Sequence, residues 1–218
     1  MIQLKNVTKS FSGPNGAVTA LNDISFSLPP GELLVINGPS GCGKSTLLLT
    51  ASGMLRPDSG DVQLMEEYRP YDLPPEKRSR MRAGLVGFVF QQFHLIPYLT
   101  VKENIIAPSL SISKEDPERR AQELIRRFGL QEREDHLPHQ LSTGERQRTA
   151  LARALFNQPK IIFADEPTGN LDDENTEIVL SHLRNYISDG GSVLLVTHNA
   201  KAADYATRTL KMKNGHVA

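Results

Sequence analysis

Leu33-Leu34-Val35-Ile36-Asn37-Gly38-Pro39-Ser40-Gly41-Cys42-Gly43-Lys44-Ser45-Thr46-Leu47-Leu48-Leu49 is the stretch on which the fold turns. Leu33 to Ile36 is a continuous apolar run without alternation, the pattern of a strand covered on both faces of a parallel sheet. A glycine loop, Gly38 to Thr46, follows it directly, and Leu47-Leu48-Leu49 opens a helix. The loop therefore joins a strand to a helix, as the phosphate-loop pattern requires. Its glycines let backbone N–H groups converge on phosphate oxygens, and the helix N-terminus adds the positive end of its dipole. Gly38, Pro39, Ser40, Gly41, Cys42, Gly43, Lys44, Ser45 and Thr46 are the expected nucleotide cradle, with Lys44 on the β- and γ-phosphates and Ser45 on Mg²⁺. Cys42 fills a variable position of this loop. A small tolerated side chain accounts for it better than a redox switch, because nothing in the sequence establishes a lowered thiol pKa.

Outward from the loop, similar apolar runs recur at Leu85 to Phe90, Ile161 to Ala164 and Val193 to Val196. Helical patterns between them give the βα alternation of a parallel sheet. Ile24, Phe26 and Leu28 instead alternate with Ser25 and Ser27 ahead of Pro29-Pro30-Gly31, so antiparallel pairing is expected near the N-terminus. Gln92 to Pro159 breaks the rhythm: it is long and charged, and two helices with no buried strand between them are expected there, a helical sub-domain. Ala121, Leu124, Ile125 and Phe128 form one apolar stripe that Gly129 ends. Glu118, Arg119, Arg120, Arg126 and Arg127 read as its solvated face. Asn214-Gly215 reads as a tight turn.

A length of 218 residues suits one domain, and 39% hydrophobic with 23% charged residues excludes a disordered or fibrous chain. Lys and Arg number 25 and Asp and Glu 25, so no overall field draws the chain to nucleic acid, and no direct nucleic-acid partner is expected. Every apolar stretch falls short of the roughly 18 residues that cross a bilayer. Met1 to Lys5 does not open a secretory signal, which points to the cytoplasm. The single cysteine excludes an intramolecular disulfide and leaves any metal site without clustered thiolates.

Ile161 to Glu166 is an apolar strand ending in two carboxylates, at the edge where open α/β sheets bind ligand. Asp165 is the expected Mg²⁺ residue, and Glu166 the group that orients and deprotonates an attacking water. Leu141-Ser142-Thr143-Gly144-Glu145 opens a helix whose Ala150, Leu151, Ala154 and Leu155 form a buried stripe, and Ser142 and Glu145 have capping-box spacing. The free amides, the dipole end and the Ser142 hydroxyl together can hold a γ-phosphate. Since the chain already has a phosphate loop, this second anion site suggests an ATP shared between two chains.

These segments, in this order, resemble the ATP-binding cassette (ABC) family over nearly the whole chain. Gly38 to Thr46 corresponds to the family's phosphate loop, Leu141 to Glu145 to its signature, and Ile161 to Glu166 to its second acidic motif. Phe90-Gln91 is similar to its glutamine loop, Gly169-Asn170-Leu171-Asp172 to its aspartate loop, and Val196-Thr197-His198 to its histidine switch. Phe11 occupies the place of the aromatic that stacks on adenine in similar proteins.

The resemblance implies an α/β fold with a P-loop NTPase (RecA-like) parallel-sheet core, an N-terminal antiparallel β sub-domain and an inserted helical sub-domain. Residues 1–91 and 160–218 would form the ATP-binding core of a single domain, and 92–159 the helical signature part. It further implies a head-to-tail homodimer, or pairing with a second cassette, that buries two Mg-ATP between the phosphate loop of one chain and the signature of the other. Gln91 would sense the metal and γ-phosphate, His198 would hold the γ-phosphate and Glu166 in register, and Ser142, Thr143, Gly144, Glu145 and Asp172 would meet the partner. Thr143 stands where the family usually carries glycine, and Glu145 where it usually carries glutamine. A β-branched residue that cannot cheaply reach φ > 0 is expected to slow hydrolysis.

The motifs look most like the branch containing lipoprotein-releasing, macrolide-exporting and cell-division cassettes. That implies an ATPase subunit driving a transmembrane permease, peripheral on the inner face of the cell membrane. Phe93, Leu95, Ile96, Pro97, Tyr98 and Leu99, within Gln91 to Asn104, offer the permease an apolar surface. A soluble or regulatory ABC ATPase that switches a non-transport partner is the alternative.

Overall fold

A computed structural model describes residues 1–13, 16–112 and 116–217. The first strands, β1 (Ile2–Gly13) and β2 (Gly16–Leu28), pair antiparallel, with Ile2 opposite Leu28 and Phe11 opposite Val18. Ile2, Leu4, Ile24 and Leu28 are buried, as the alternation of inward and outward side chains along a strand demands. Pro29-Pro30-Gly31 turns the chain into β3 (Leu33–Asn37), after which the glycine loop enters α1 (Lys44–Ala51). β4 (Ser59–Leu64) returns to flank β1 and completes a three-stranded antiparallel sheet of order β2-β1-β4.

Next come α2 (Pro75–Leu85) and β5 (Val86–Phe90). Between β5 and β6 (Ile161–Asp165) the described chain is helical: α3 (Val101–Ile106), α4 (Pro117–Arg127) and α5 (Thr143–Leu155), with short 3₁₀ turns at Ala107–Leu110, Gln131–Arg133 and Pro138–Gln140. The expectation of two helices is corrected to three. α3 has too few residues to write a helical period, yet it is fixed by a capping box. Thr100 Oγ1 accepts from the Glu103 amide at 3.2 Å, and Glu103 Oε2 accepts from the Thr100 amide at 2.8 Å. The chain ends with α6 (Asp173–Ser188), β7 (Ser192–Thr197), α7 (Ala202–Tyr205), β8 (Arg208–Lys213) and β9 (His216–Val217). Asn214 and Gly215 both adopt positive φ, 50° and 77°, as a two-residue hairpin turn requires.

The main sheet has the order β5-β6-β7-β3-β8-β9, parallel from β5 through β8. Alternate residues of β3 feed two cores: Leu33 and Val35 pack with α4, α5 and α6, while Leu34 and Ile36 pack with α1 and the antiparallel sheet. Burying each such side chain stabilises the fold by about 2 kcal/mol. β5 departs from the continuous burial its sequence suggests. Only Gly87 and Val89 are buried, and Val86, Phe88 and Phe90 are half-buried because β5 is the edge strand. Phe88 recovers contact by stacking on Phe90 at 4.7 Å and Phe163 at 5.6 Å. Among the described residues no helix is long and apolar enough to cross a membrane.

Candidate functional site

Because β3, β6 and β7 are parallel neighbours, their C-terminal ends deliver Gly38, Asp165-Glu166 and Thr197-His198 to one edge of the sheet. β5 ends beside them at Gln91. A cleft of about 420 Å³ opens there, lined by Phe11, the loop residues 40–41 and 43–46, Gln91, Glu166 and His198. Gly43 caps α1 at φ 109°, and a Cβ on it would lie 2.2 Å from the Ala20 carbonyl oxygen, so glycine is obligatory.

Gly38, Pro39 and Cys42 do not line the cleft. Gly38 admits the Met212 carbonyl, which would lie 2.3 Å from a Cβ there, and Cys42 is buried in the apolar cluster beneath the loop. Gly38 and Pro39 act through their carbonyls, which accept from Lys44 Nζ at 2.7 and 3.1 Å.

Lys44 Nζ also lies 3.5 Å from Glu166 Oε1. Glu166 Oε2 accepts from Thr197 Oγ1 at 2.8 Å and from the His198 amide at 3.2 Å, and His198 Nδ1 is 2.9 Å from Oε1. Burial pushes the Glu166 carboxyl up, but the hydrogen bonds from His198 and Thr197 outweigh it and hold the group below the usual carboxylate range. Glu166 is thus an ionised acceptor in a fixed place. Its φ of 46° is unusual for a non-glycine residue, a conformation that costs about 1 kcal/mol and collects at functional sites. Thr197 is a contributor that sequence reasoning did not single out; its place one residue before His198 was the available signal.

Asp165 behaves differently. Burial raises its pKa and the Glu166 charge adds to that, against the Ser45 hydroxyl and Lys44, so the net shift is upward. Its Oδ1 is buried without a hydrogen-bond partner. An orphaned carboxylate oxygen beside a hydroxyl suits Mg²⁺, which takes one or two protein oxygens and completes its shell with phosphate and water. No cluster of three His, Cys, Asp or Glu among the described residues offers a rival metal site. Phe11 is 43% exposed at the cleft, with Lys9 Nζ over its ring, 5.7 Å from the centroid. Gln91 packs against the segment after Glu166: its carbonyl accepts from Asn170 Nδ2 at 3.2 Å, and its Nε2 lies 2.9 Å from where a Cβ on Gly169 would stand.

Ser142, Thr143, Gly144, Glu145 and Asp172 do not line this cleft. The capping box is formed: Ser142 Oγ accepts from the Glu145 amide at 3.2 Å, and Glu145 Oε2 accepts from the Ser142 amide at 2.7 Å. Burial raises the Glu145 pKa, but bonds from Ser142 and Arg133 bring it below the usual range. Thr143 is the first residue of α5 and is not among the residues with positive φ, so the expected backbone penalty at this position does not arise. Gly144 is buried against α6. Asp172 caps α6 through the Asn175 amide at 2.8 Å.

The segment proposed to meet a partner is shaped by two side chains that the sequence did not flag. Asn104 is fully buried; its Oδ1 accepts from the Ile96 amide at 2.8 Å, and its Nδ2 donates to the carbonyls of Ile96, Leu99 and Thr100 at 2.9 to 3.1 Å. Arg153 donates to the carbonyls of Phe93 and His94 at 2.7 and 2.5 Å. Tyr98 is left 77% exposed at the tip, with Pro97 exposed beside it, while Phe93, Leu95, Ile96 and Leu99 are half-buried.

Residues 21–169 match a family model described as ABC transporter. The lipoprotein-releasing system ATP-binding protein LolD of Maricaulis maris is 39% identical over 100% of this chain and 96% of its own length. The macrolide export ATP-binding/permease protein MacB of Chlorobaculum tepidum is 39% identical over 100% of this chain and 33% of its own length. A dimeric ATP-binding cassette, solved in a post-hydrolysis state with ADP and Pi, matches with a TM-score of 0.92 at 38% identity, covering 100% of this chain and 96% of that one.

Proposed function

This chain belongs to the ABC transporter family as an ATP-binding subunit, and from that membership we propose that it is the ATPase engine that drives a partner transmembrane permease, in export or lever-type work. The observation that carries the reading is the convergence of Lys44, Gln91, Glu166 and His198 on one cleft at the strand ends.

Phe11 stacks on the base while the loop amides and Lys44 take the phosphates, Lys44 exchanging its carbonyl partners for phosphate oxygens. Ser45 and Asp165, with Gln91 nearby, would hold Mg²⁺, which would supply charge neutralisation on the phosphates. Glu166, ionised and held by Thr197 and His198, accepts the proton of the attacking water, and His198 keeps it in register. The fixed polar groups need no reorganisation as charge develops. The first turn of α5, with Ser142, Thr143 and Gly144, serves the γ-phosphate held by a second copy or second cassette, so that ATP closes the dimer. Closure reaches the permease through residues 91–104, which run from Gln91 at the cleft to the exposed Tyr98, and this contact holds the chain on the inner face of the membrane.

Purifying tagged Glu166→Gln protein with Mg-ATP from detergent-solubilised membranes tests this. Turnover falls on the order of 100-fold or more for loss of a general base, an ATP-bound dimer accumulates, and an integral membrane protein with a large extracytoplasmic domain copurifies. Rapid turnover in that variant would remove Glu166 from its role. Recovery of only soluble or nucleic-acid partners would replace the permease with a non-transport partner.

A further inference from the structure

Within one chain, the aspartate loop and the signature helix meet at Asn175. The cap on α6 uses only the Asn175 backbone, so its side chain is free for other work. Its Nδ2 lies 3.0 Å from both carboxylate oxygens of Asp172, and its Oδ1 accepts from Arg148 Nη1 at 3.0 Å. The same Oδ1 fills the space over Gly144, 2.0 Å from where a Cβ would stand. Gly144 and Arg148 are one turn apart on α5, so the amide is seated on the signature helix by one and gripped by the other. An amide donates to a carboxylate and accepts from a guanidinium at once, which neither a carboxylate nor a hydrocarbon side chain does. A Cβ at signature Gly144 would displace this amide.

We propose that Asn175 is a positioning residue that locks Asp172 to the signature helix of the same chain, so that the two ATP sites of the dimer sense one another. The inference rests on the dimeric reading above, in which α5 serves the nucleotide on the partner chain and Asp172 faces the same interface. A shift of α5 on engaging that nucleotide moves Arg148 and Gly144, and Asn175 passes the shift to the loop that follows Glu166. The path is short and consists of packed atoms and hydrogen bonds, so it has the physical continuity that coupling between sites needs.

The test compares Asn175→Ala, Arg148→Ala and the double variant in the full chain, with Arg148→Lys as a milder form should either alanine variant misfold. Three quantities are read: affinity of the monomer for a fluorescent ATP analogue, turnover at saturating ATP, and the Hill coefficient. The expected result is monomer affinity within about twofold of the parent chain, turnover down about tenfold and cooperativity lost. The double variant is then no worse than either single one. Arg148→Lys falls between, because its ammonium keeps the charge and a donor but lacks the planar fork. Unchanged turnover and Hill coefficient in folded variants, or losses that multiply in the double variant, overturn the inference. A parent chain that neither hydrolyses ATP nor dimerises sinks the functional reading; an active, dimeric parent with silent variants sinks only the coupling.

Discussion

The sheet and the helical segment between β5 and β6 place their functional residues by different means. In the sheet, backbone pairing does the placing: β3, β7 and β6 lie side by side, so Asp165, Thr197 and Gly38 emerge at the same edge, within two residues of one another in register, whatever their side chains do. In the helical segment, side chains reach to distant backbone. Asn104 folds 96–100, Arg153 holds Phe93 and His94, and Arg120 closes the C-terminal end of α5 through the Leu155 and Phe156 carbonyls at 3.1 and 3.4 Å. A strand end survives the loss of one side chain without moving, whereas a loop hung on one amide does not. Chemistry and mechanical output are therefore separable by mutation.

The largest effect is expected at the sheet. Lys44→Ala removes the cation proposed to meet the phosphates, and nucleotide affinity is expected to fall on the order of 100-fold for loss of charge-assisted hydrogen bonds. The fold is retained, because no backbone pairing depends on Lys44. Equilibrium ATP binding together with the far-ultraviolet spectrum checks both halves of that statement. Unaltered affinity would mean that the strand ends do not form the site.

Asn104→Ala is the counterpart in the helical segment. Four hydrogen bonds disappear from a fully buried side chain, leaving the Ile96 amide and the Leu99 carbonyl to find water, while the Ile96 and Thr100 carbonyls keep the Leu99 and Asn104 amides. A loss of about 2–3 kcal/mol of stability follows from orphaning such groups, read as a lower denaturation midpoint. ATP affinity stays near that of the parent chain, and copurification of the proposed permease is lost. A fall in ATP affinity as large as that of Lys44→Ala would show that the two regions do not act separately.

The same difference decided what the sequence could reveal. Leu33 to Thr46 and Ile161 to Glu166 are legible because the apolar strand and the residues it delivers are contiguous, so burial pattern and chemistry are read in one stretch. The half-exposure of β5 is not legible, since being an edge strand depends on where distant strands pair. Asn104, Arg148 and Asn175 gave no signal. Their roles lie in bonds to partners such as the Arg148–Asn175 pair, 27 positions apart, and an asparagine in sequence speaks mainly of turns and caps. Gly144 was legible only as part of the signature, and nothing in the sequence showed that Asn175 of the same chain packs over it.

The smallest effect is expected at Thr143, where family resemblance and geometry disagree. A glycine requirement would follow from a left-handed backbone, but Thr143 opens α5 without one. Its Oγ1 also accepts from Arg146 Nη2 at 3.3 Å. Thr143→Gly gives up that bond and adds freedom to the unfolded chain, so stability falls by about 0.5–1 kcal/mol. Turnover and dimer affinity, measured by steady-state hydrolysis and sedimentation with ATP, remain within about twofold. A tenfold rise in turnover would instead mean that the threonine side chain obstructs the partner's phosphate. The capped end of α5 would then limit the chemistry rather than wait for it, and the division of labour between sheet and helices would have to be redrawn around that residue.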